Sequence, residues 1–261
     1  MRIVWIIIGT VLLPAQFLTS QQLEIYTENG KDTYSVAEID SITFDIPEYE
    51  LPITVTDIDG NVYQAVTIGD QVWMSENLKV TRYRNGDSIP NVTDPEAWET
   101  LTTDACCEYS NDTNNMEIYG RLYNFYAVND SRGIAPEGWH VATDEEWQTL
   151  EKFLGMDEVE AGLINERGTD EGGKLKQAGT EYWKSPNKGA TNIWRFNGLP
   201  GGSRSENGEF VNLGYYADFW TATELPDINM AMRRNLAYHE AWIFRVGIPY
   251  NAGYSVRCIK D

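Results

Sequence analysis

The sequence predicts a mixed α+β protein with two main helices, small antiparallel sheets and long loops. One segment, Thr143 to Gly155, carries the start signal, the apolar stripe and the stop signal of an amphipathic helix. Short extended runs lie on both sides of it, bounded by Gly, Asn, Asp and Pro. Because such runs alternate with polar, glycine-rich stretches, we expect small sheets joined by long loops.

The first twenty residues have the layout of a secretory signal peptide. Arg2 gives a positive start, a mostly apolar run covers Ile3 to Leu13, and small or polar residues follow. That run is shorter than the about 20 apolar residues that cross a bilayer. We therefore predict cleavage after Ala15 or Ser20 and a secreted or cell-surface protein, in preference to a buried N-terminal helix. No cysteine lies near either position, which argues against a lipoprotein anchor.

After this leader, the sequence predicts a short β-rich appendage with a linker over residues 21–50 and one main domain over residues 51–261. The features that predict the appendage are a strand at Leu23 to Tyr26, a hairpin turn at Asn29-Gly30, a return strand at Asp32 to Val36, a further alternating run at Ile39 to Phe44, and a linker between Pro47 and Pro52.

Charge restricts the classes of partner. The chain has 20 Lys and Arg against 40 Asp and Glu, a formal net charge of -20. Phosphate backbones and anionic membrane surfaces would be repelled, so nucleic acid and peripheral membrane binding are disfavoured. The acids are spread along the chain, as expected of a soluble exported protein, and no later segment is apolar enough to span a membrane.

The main domain is predicted to begin with a hairpin. Ile53 to Thr56 and Val62 to Ile68 read as strands, and Asp59-Gly60 between them favours a two-residue turn. The Asp57, Asp59, Asn61 spacing also resembles the start of a calcium loop, but Ile68 stands where such a loop ends in glutamate. We favour the hairpin and predict no cofactor, with calcium unsupported.

Two helices and several later strands follow from the pattern. Leu122, Phe125 and Tyr126 recur at helical spacing after Gly120 and predict the first helix. The second begins with a capping box and ends at a glycine, and its features are Thr143 and Glu146, the stripe Trp147, Leu150 and Phe153-Leu154, and the stop Gly155. The later strands expected are Val72 to Met74, Phe219 to Ala222, Ala241 to Arg245 and Tyr254 to Ile259.

The three cysteines are Cys106, Cys107 and Cys258. In an oxidising compartment they allow one intrachain bridge and leave one thiol over. We predict a bridge from either member of the adjacent pair to Cys258, which would tie the C-terminal strand to a mid-chain loop. A strained bridge within the pair is the redox-active alternative. No CxxC or HExxH spacing indicates a metal site.

Six ordered strings along the chain resemble the Fibrobacter succinogenes major paralogous domain family, over roughly residues 54 to 261. The strings are IGDQVWMSENLK (68–79), YGRLYN (119–124), APEGWHV with TDEEW (135–147), LPGG with Arg204 (199–204), FWTATE (219–224) and GYSVRC (253–258). The appendage is similar to a segment common in exported proteins of Bacteroidetes-type bacteria.

This resemblance implies a secreted or surface protein with a fold akin to C-type lectins and formylglycine-generating enzymes, and it implies no established activity. Related oxidases use a reactive cysteine pair shortly before the last strand, but Ala241 to Tyr254 contains no cysteine. The oxidase activity therefore does not transfer to this chain. Calcium-dependent lectins of this fold use a Pro-containing loop and an Asn-Asp pair. Leu225-Pro226-Asp227 matches the lectin pattern only faintly, which leaves calcium-dependent sugar binding open but unsupported.

We predict a non-catalytic binding module that recognises a glycan or a protein ligand through loops of its C-terminal half, or else a structural or adhesion component of the bacterial surface. Aromatic side chains stack on sugar rings and anchor protein partners. The candidates are Tyr215, Tyr216, Trp220, Trp242 and Tyr250. Trp220 lies in a predicted strand, where a place in the core is the competing interpretation.

Catalysis would need a nucleophile, an acid/base pair or a metal. His140 lies in a predicted strand, where a hydrogen-bonded structural histidine is the expected role. His239-Glu240 is an isolated pair without a serine partner at a suggestive spacing. Two-carboxylate carbohydrate hydrolysis is the enzyme alternative, because the separation that matters there is spatial. We predict no catalytic residue and no metal ligand.

Overall fold

The computed structural model describes residues 5–7, 22–27, 30–35 and 53–261. The chain divides into two compact units, Met1–Leu51 and Pro52–Asp261.

The first unit contains a three-stranded antiparallel sheet in the order β1-β2-β3, with β1 at Trp5–Ile7, β2 at Gln22–Thr27 and β3 at Gly30–Ser35. Thr27 pairs with Gly30, so β2 and β3 form a hairpin, but Gly30, predicted to lie in its turn, is the first residue of β3. Strand β1 lies inside the predicted signal peptide, so cleavage at either proposed position would leave the β2–β3 hairpin. The predicted run Ile39 to Phe44 lies outside the described residues.

The second unit mixes helices with several small sheets, which confirms the α+β prediction. Its strands are β4 (Ile53–Thr56), β5 (Val62–Ile68), β6 (Gln71–Met74), β7 (Cys106–Cys107), β8 (Leu122–Tyr123), β9 (Trp139–Val141), β10 (Asn165–Arg167), β11 (Ser203–Arg204), β12 (Phe210–Val211), β13 (Tyr216–Leu225), β14 (Met230–Ala237), β15 (Ile243–Pro249), β16 (Ser255–Val256) and β17 (Cys258–Lys260).

Six α-helices lie in the described residues, where the sequence predicts two main ones. They are α1 (Pro95–Glu99), α2 (Thr113–Tyr119), α3 (Phe125–Val128), α4 (Asp144–Phe153), α5 (Glu158–Ala161) and α6 (Glu171–Leu175). Five of them have seven residues or fewer. The first predicted helix is shorter than expected. Leu122 begins strand β8 instead, and only the single turn α3 is helical.

Helix α4 has the form that its sequence predicts. Thr143 accepts a hydrogen bond from the Glu146 N–H, and the Glu146 carboxylate accepts one from the Thr143 N–H, so both halves of the capping box form. Trp147 and Leu150 are buried, and Gly155 follows the helix at φ +121°. Phe153 differs from the prediction: it is 46% exposed and packs edge-on against Trp194.

Two five-stranded sheets organise the unit. One has the order β4-β5-β6-β17-β9 and the other β10-β15-β14-β13-β16. Strand β17 near the C-terminus lies between β6 and β9, so the last strand joins elements from the first half of the unit. In the second sheet only β13 and β16 run parallel, and the other pairs are antiparallel.

Strand β14 is the central strand of the second sheet, and the sequence pattern does not predict it. Met, Ala, Arg and Leu in this segment favour helices as isolated residues. Hydrogen bonding to β13 on one side and β15 on the other overrides that preference. Successive side chains point to opposite faces of a strand, so the neighbouring Arg233 and Arg234 enter different environments.

The face that carries Arg234 packs under α4 and holds a buried network of charges. Glu151 accepts hydrogen bonds from Arg167 at 2.7 and 3.0 Å and from Arg234 at 2.6 Å, and all three side chains are 0% exposed. Asp144 at the start of α4 binds Arg234 and Arg245. These ion pairs fix the helix to three strands, because β10, β14 and β15 each supply one arginine.

The hairpin between β4 and β5 differs from the predicted two-residue turn. Asp57 to Gly60 form a four-residue turn closed by the Gly60 N–H to the Asp57 carbonyl, with Gly60 at φ +87°. The Asp57 carboxylate accepts hydrogen bonds from Asn61 and from the Tyr63 hydroxyl. Asp59 accepts from Thr81 and Arg82. Donors of the chain itself thus engage both carboxylates of this turn.

Candidate functional site

A cavity of about 440 Å³ opens on the second sheet and the loops beside it. We call it the Asp218 cavity. Its aromatic lining comes from Tyr216, Trp242, Phe244 and Tyr254. Strand pairing explains part of this arrangement, since Phe244, Asn235 and Asp218 are direct partners across three adjacent strands and share one face.

The floor of the Asp218 cavity is polar. The buried Asp218 carboxylate accepts a hydrogen bond from Asn235 Nδ2 at 2.8 Å and forms an ion pair with Arg233. The Arg233 guanidinium also lies over the rings of Tyr254 and Phe244, at 5.3 and 5.8 Å from their centroids. Burial raises the pKa of Asp218, although Arg233 and Asn235 act in the opposite direction. The floor therefore combines a carboxylate, a guanidinium and an amide in one place.

The rim of the Asp218 cavity is more exposed. Glu166 on β10 and Glu206 in the loop after β11 stand at its edge with their side chains in solvent. His239 is also exposed and lies 6.3 Å from the Tyr216 ring. Within residues that the structure describes, no group of three or more His, Cys, Asp or Glu side chains is placed to hold a metal ion.

The predicted aromatic residues do not form one surface. Tyr216 and Trp242 line the Asp218 cavity, whereas Tyr250 lines a different one. Tyr215 is 41% exposed, packs against Tyr238 at 5.1 Å and lies outside both cavities.

The prediction that Trp220 is a binding residue is wrong. It is 0% exposed, and its indole N–H donates to the Tyr123 carbonyl at 2.8 Å. Tyr216, Asp218 and Trp220 alternate along β13 and share one face, but Tyr254 and Phe125 pack over the last of them. The competing core interpretation of Trp220 is therefore the correct one.

The polar floor is the part of the site that sequence reasoning missed. Arg233 and Asn235 lie on β14, a strand that the sequence does not predict. Their contacts with Asp218 could therefore not be predicted either. One signal is present in the sequence: the charged residue Asp218 stands directly before the predicted strand Phe219 to Ala222. A carboxylate among buried residues needs hydrogen-bonding or charged partners, so this position indicates a polar site.

The three cysteines do not form the predicted disulfide. All three thiols are free and buried, so the bridge predicted from Cys106 or Cys107 to Cys258 is not formed. Strand β7 pairs with β8, whereas β17 pairs with β6 and β9. Cys106 and Cys107 therefore lie in a different sheet from Cys258.

His140 forms hydrogen bonds with Asp261 and Glu146 through its two ring nitrogens, at 2.7 and 2.8 Å.

In the described residues, no helix has the length and apolar character needed to cross a bilayer.

Comparison with known proteins gives a family and no nearer relative. No curated protein and no solved structure was found to match the chain. The model of the Fibrobacter succinogenes major domain matches residues 66–260, three quarters of the sequence. Together with the ordered motifs, this match means that the chain belongs to the Fibrobacter succinogenes major domain family.

Proposed function

We propose that this protein is an exported, non-catalytic binding domain that holds a saccharide unit in the Asp218 cavity. One observation carries the proposal: aromatic side chains surround a floor that offers both hydrogen-bond acceptors and donors. Aromatic rings stack on the apolar faces of sugar rings. Hydroxyl groups both donate and accept, so a carboxylate beside a guanidinium and an amide matches adjacent hydroxyls.

Charge favours a neutral saccharide over an anionic one. On the floor, Asp218 and Arg233 balance each other, while Glu166 and Glu206 add negative charge at the rim. A uronate or sulfate group would meet this negative rim and the net charge of -20 on the chain. The ligand we expect is an uncharged hexose or a short oligomer of such units.

Two further features are part of the proposal. We infer a C-type-lectin-like arrangement, supported by the return of β17 to the sheet of the first strands and by the loops gathered beside the second sheet. We also infer binding without calcium, because Asp57 and Asp59 are engaged by donors of the chain itself. Export rests on the charge and apolar pattern of the first twenty residues.

The test starts with a glycan array and with thermal unfolding of the full chain in the presence of neutral and anionic saccharides, with and without calcium. A ligand that binds only the folded state raises the unfolding midpoint. The saccharides that bind are then titrated against Trp242→Ala, which removes a ring from the cavity wall. We expect affinity to fall by about tenfold, in line with the free energy of one aromatic contact.

Tyr215→Ala is the matched control, because it removes an aromatic ring that is exposed and lies outside the Asp218 cavity. Its affinity should equal that of the unmodified protein. If Trp242→Ala binds each saccharide as tightly as Tyr215→Ala does, the cavity is not the site. Binding to no saccharide, with capture of a single surface protein, would favour the adhesion alternative.

One observation keeps a hydrolase as the second candidate: the Asp218 cavity holds a buried carboxyl of raised pKa near two exposed carboxylates, Glu166 and Glu206. A general acid and a second carboxylate are the requirements of glycoside hydrolysis. Against this role, Asp218 is already bound by Arg233 and Asn235. Release of reducing ends from a bound oligosaccharide, abolished in Glu166→Gln or Glu206→Gln, would support the enzyme.

A further inference from the structure

A second cavity, of about 400 Å³, is lined by residues that take no part in the Asp218 cavity. We call it the Tyr250 cavity. Its walls come from α3, from the loop before β7 and from the ends of β13 and β15. The residues that matter for its chemistry are Tyr126, Tyr250, Glu224, Asp104 and Asp130.

Two tyrosine rings form a corner in this cavity. Tyr126 and Tyr250 lie with ring centroids 5.6 Å apart and planes at 78°. Phe125 stacks on Tyr250 at 5.0 Å and 25°, and its backbone N–H donates to the Tyr250 carbonyl at 2.8 Å. The corner is therefore held by the main chain as well as by side-chain packing, so binding would need little ordering of these rings.

The charge on the Tyr250 cavity is negative and only partly balanced. Arg132 forms ion pairs with Asp104 at 3.0 Å and with Asp130 at 2.7 Å. Glu224, by contrast, is exposed and accepts hydrogen bonds from two neutral groups, the Tyr250 hydroxyl at 2.8 Å and Asn129 Nδ2 at 3.5 Å. Three carboxylates thus line the walls beside a single guanidinium.

The tyrosine rings and carboxylates of the Tyr250 cavity suit an organic cation better than a metal ion. A metal ion would need several carboxylates converging on one point, and in the described part of the chain no such group of three exists. The faces of aromatic rings attract organic cations within about 6 Å of the ring centroid. A cavity with two perpendicular rings and carboxylates set apart from each other fits a cation that is larger than a metal ion and partly apolar.

We propose that the Tyr250 cavity binds a protonated alkylammonium group, with its methylene and nitrogen atoms against Tyr126 and Tyr250 and its N–H donors toward Glu224. Such a group belongs to a free primary amine or to a lysine side chain. The proposal is independent of saccharide binding, because the two cavities share no lining residue.

The test is calorimetric titration of the full chain with n-butylammonium chloride, alongside 1-butanol as an uncharged molecule of similar shape. We expect n-butylammonium to bind at least about tenfold more tightly and to weaken as salt is added, since exposed charges are screened. N-acetyl-lysine amide serves as the second arm. Tighter binding of this compound assigns the group to a polypeptide, and tighter binding of n-butylammonium assigns it to a free amine.

Variants locate the site. Glu224→Gln should weaken n-butylammonium binding about fivefold and Tyr126→Leu about threefold, as expected for one exposed ion pair and one cation–π contact. Glu158→Gln is the matched control, because it removes the same charge from an exposed position outside both cavities. It should change the affinity by less than about twofold. Thermal unfolding of each variant verifies that the fold is kept.

Three outcomes would overturn the proposal. Equal binding of 1-butanol would mean an apolar pocket without recognition of charge. An equal loss in Glu158→Gln and Glu224→Gln would mean general attraction to an acidic protein. Absence of measurable binding of both n-butylammonium and N-acetyl-lysine amide would mean that the cavity does not take this class of ligand.

Discussion

Replacing Glu151 by glutamine should destabilise the main domain strongly, although the two side chains have nearly the same shape. Glu151 accepts three hydrogen bonds from Arg167 and Arg234, and all three side chains are fully buried. Removing one member of a buried ion pair costs about 3–5 kcal/mol, because it leaves an uncompensated charge. Arg234 keeps Asp144 and Arg167 keeps the Ala161 carbonyl, so we expect a loss of about 3 kcal/mol.

The assay is urea unfolding of the full chain near neutral pH, followed by tryptophan fluorescence. With a slope of about 2 kcal/mol per molar urea, a loss of this size lowers the midpoint by about 1.5 M. Glu158→Gln is the control: its carboxylate is 80% exposed and pairs with Lys152 at 3.1 Å. An exposed pair contributes about 0–1 kcal/mol. A midpoint for Glu151→Gln as close to the unmodified protein as that of Glu158→Gln would refute the reasoning.

Three further predictions concern pH, thiols and a turn. Partial burial opposes charging of His140, yet hydrogen bonds to Asp261 and Glu146 raise its pKa. Its stabilising contribution should therefore be complete below about pH 6.5 and be lost as the pH rises through the folded-state pKa, a dependence that His140→Gln should flatten in urea unfolding curves recorded across that range. Burial raises the pKa of Cys106, Cys107 and Cys258 to about 12. Iodoacetamide should thus label no thiol in the native protein and all three in guanidinium chloride, and labelling of only one in the denatured chain would instead support the disulfide. At Gly120, with φ +77°, an added Cβ would lie 2.7 Å from Asn77 Cβ and 2.9 Å from the Leu78 carbonyl oxygen. Gly120→Ala should cost about 1–3 kcal/mol more than Gly86→Ala, where nothing lies within 4 Å, and equal unfolding midpoints for the two would contradict this.

The features that the sequence predicted correctly depend on neighbouring residues. The capping box at Thr143 and Glu146 satisfies N–H groups within one turn, so two residues three positions apart are enough to predict it. The β2–β3 hairpin and the β5 strand follow from turn residues and alternation over a few positions. The family could also be predicted, because ordered sequence motifs are recognisable without knowing which residues are in contact.

Other features depend on which distant segments meet. Strand β14 has helix-favouring residues, and only its place between β13 and β15 makes it extended. Tyr216 and Trp220 lie on the same face of one strand. Tyr216 lines a cavity, whereas Phe125 and Tyr254 cover Trp220 and make it part of the core. Alternation specifies the face that a side chain occupies and not whether another segment covers it.

The sequence by itself determined the family, the α+β class, the capped helix and the acidic net charge. Tertiary structure alone decided that Asp218, Arg233 and Asn235 form one polar floor, that Cys258 lies in a different sheet from Cys106 and Cys107, and that Tyr250 belongs to a separate cavity. The physical reason is the range of the interactions. Caps and turns are completed within a few residues, whereas a site made by strand register exists only after segments far apart in the chain have paired.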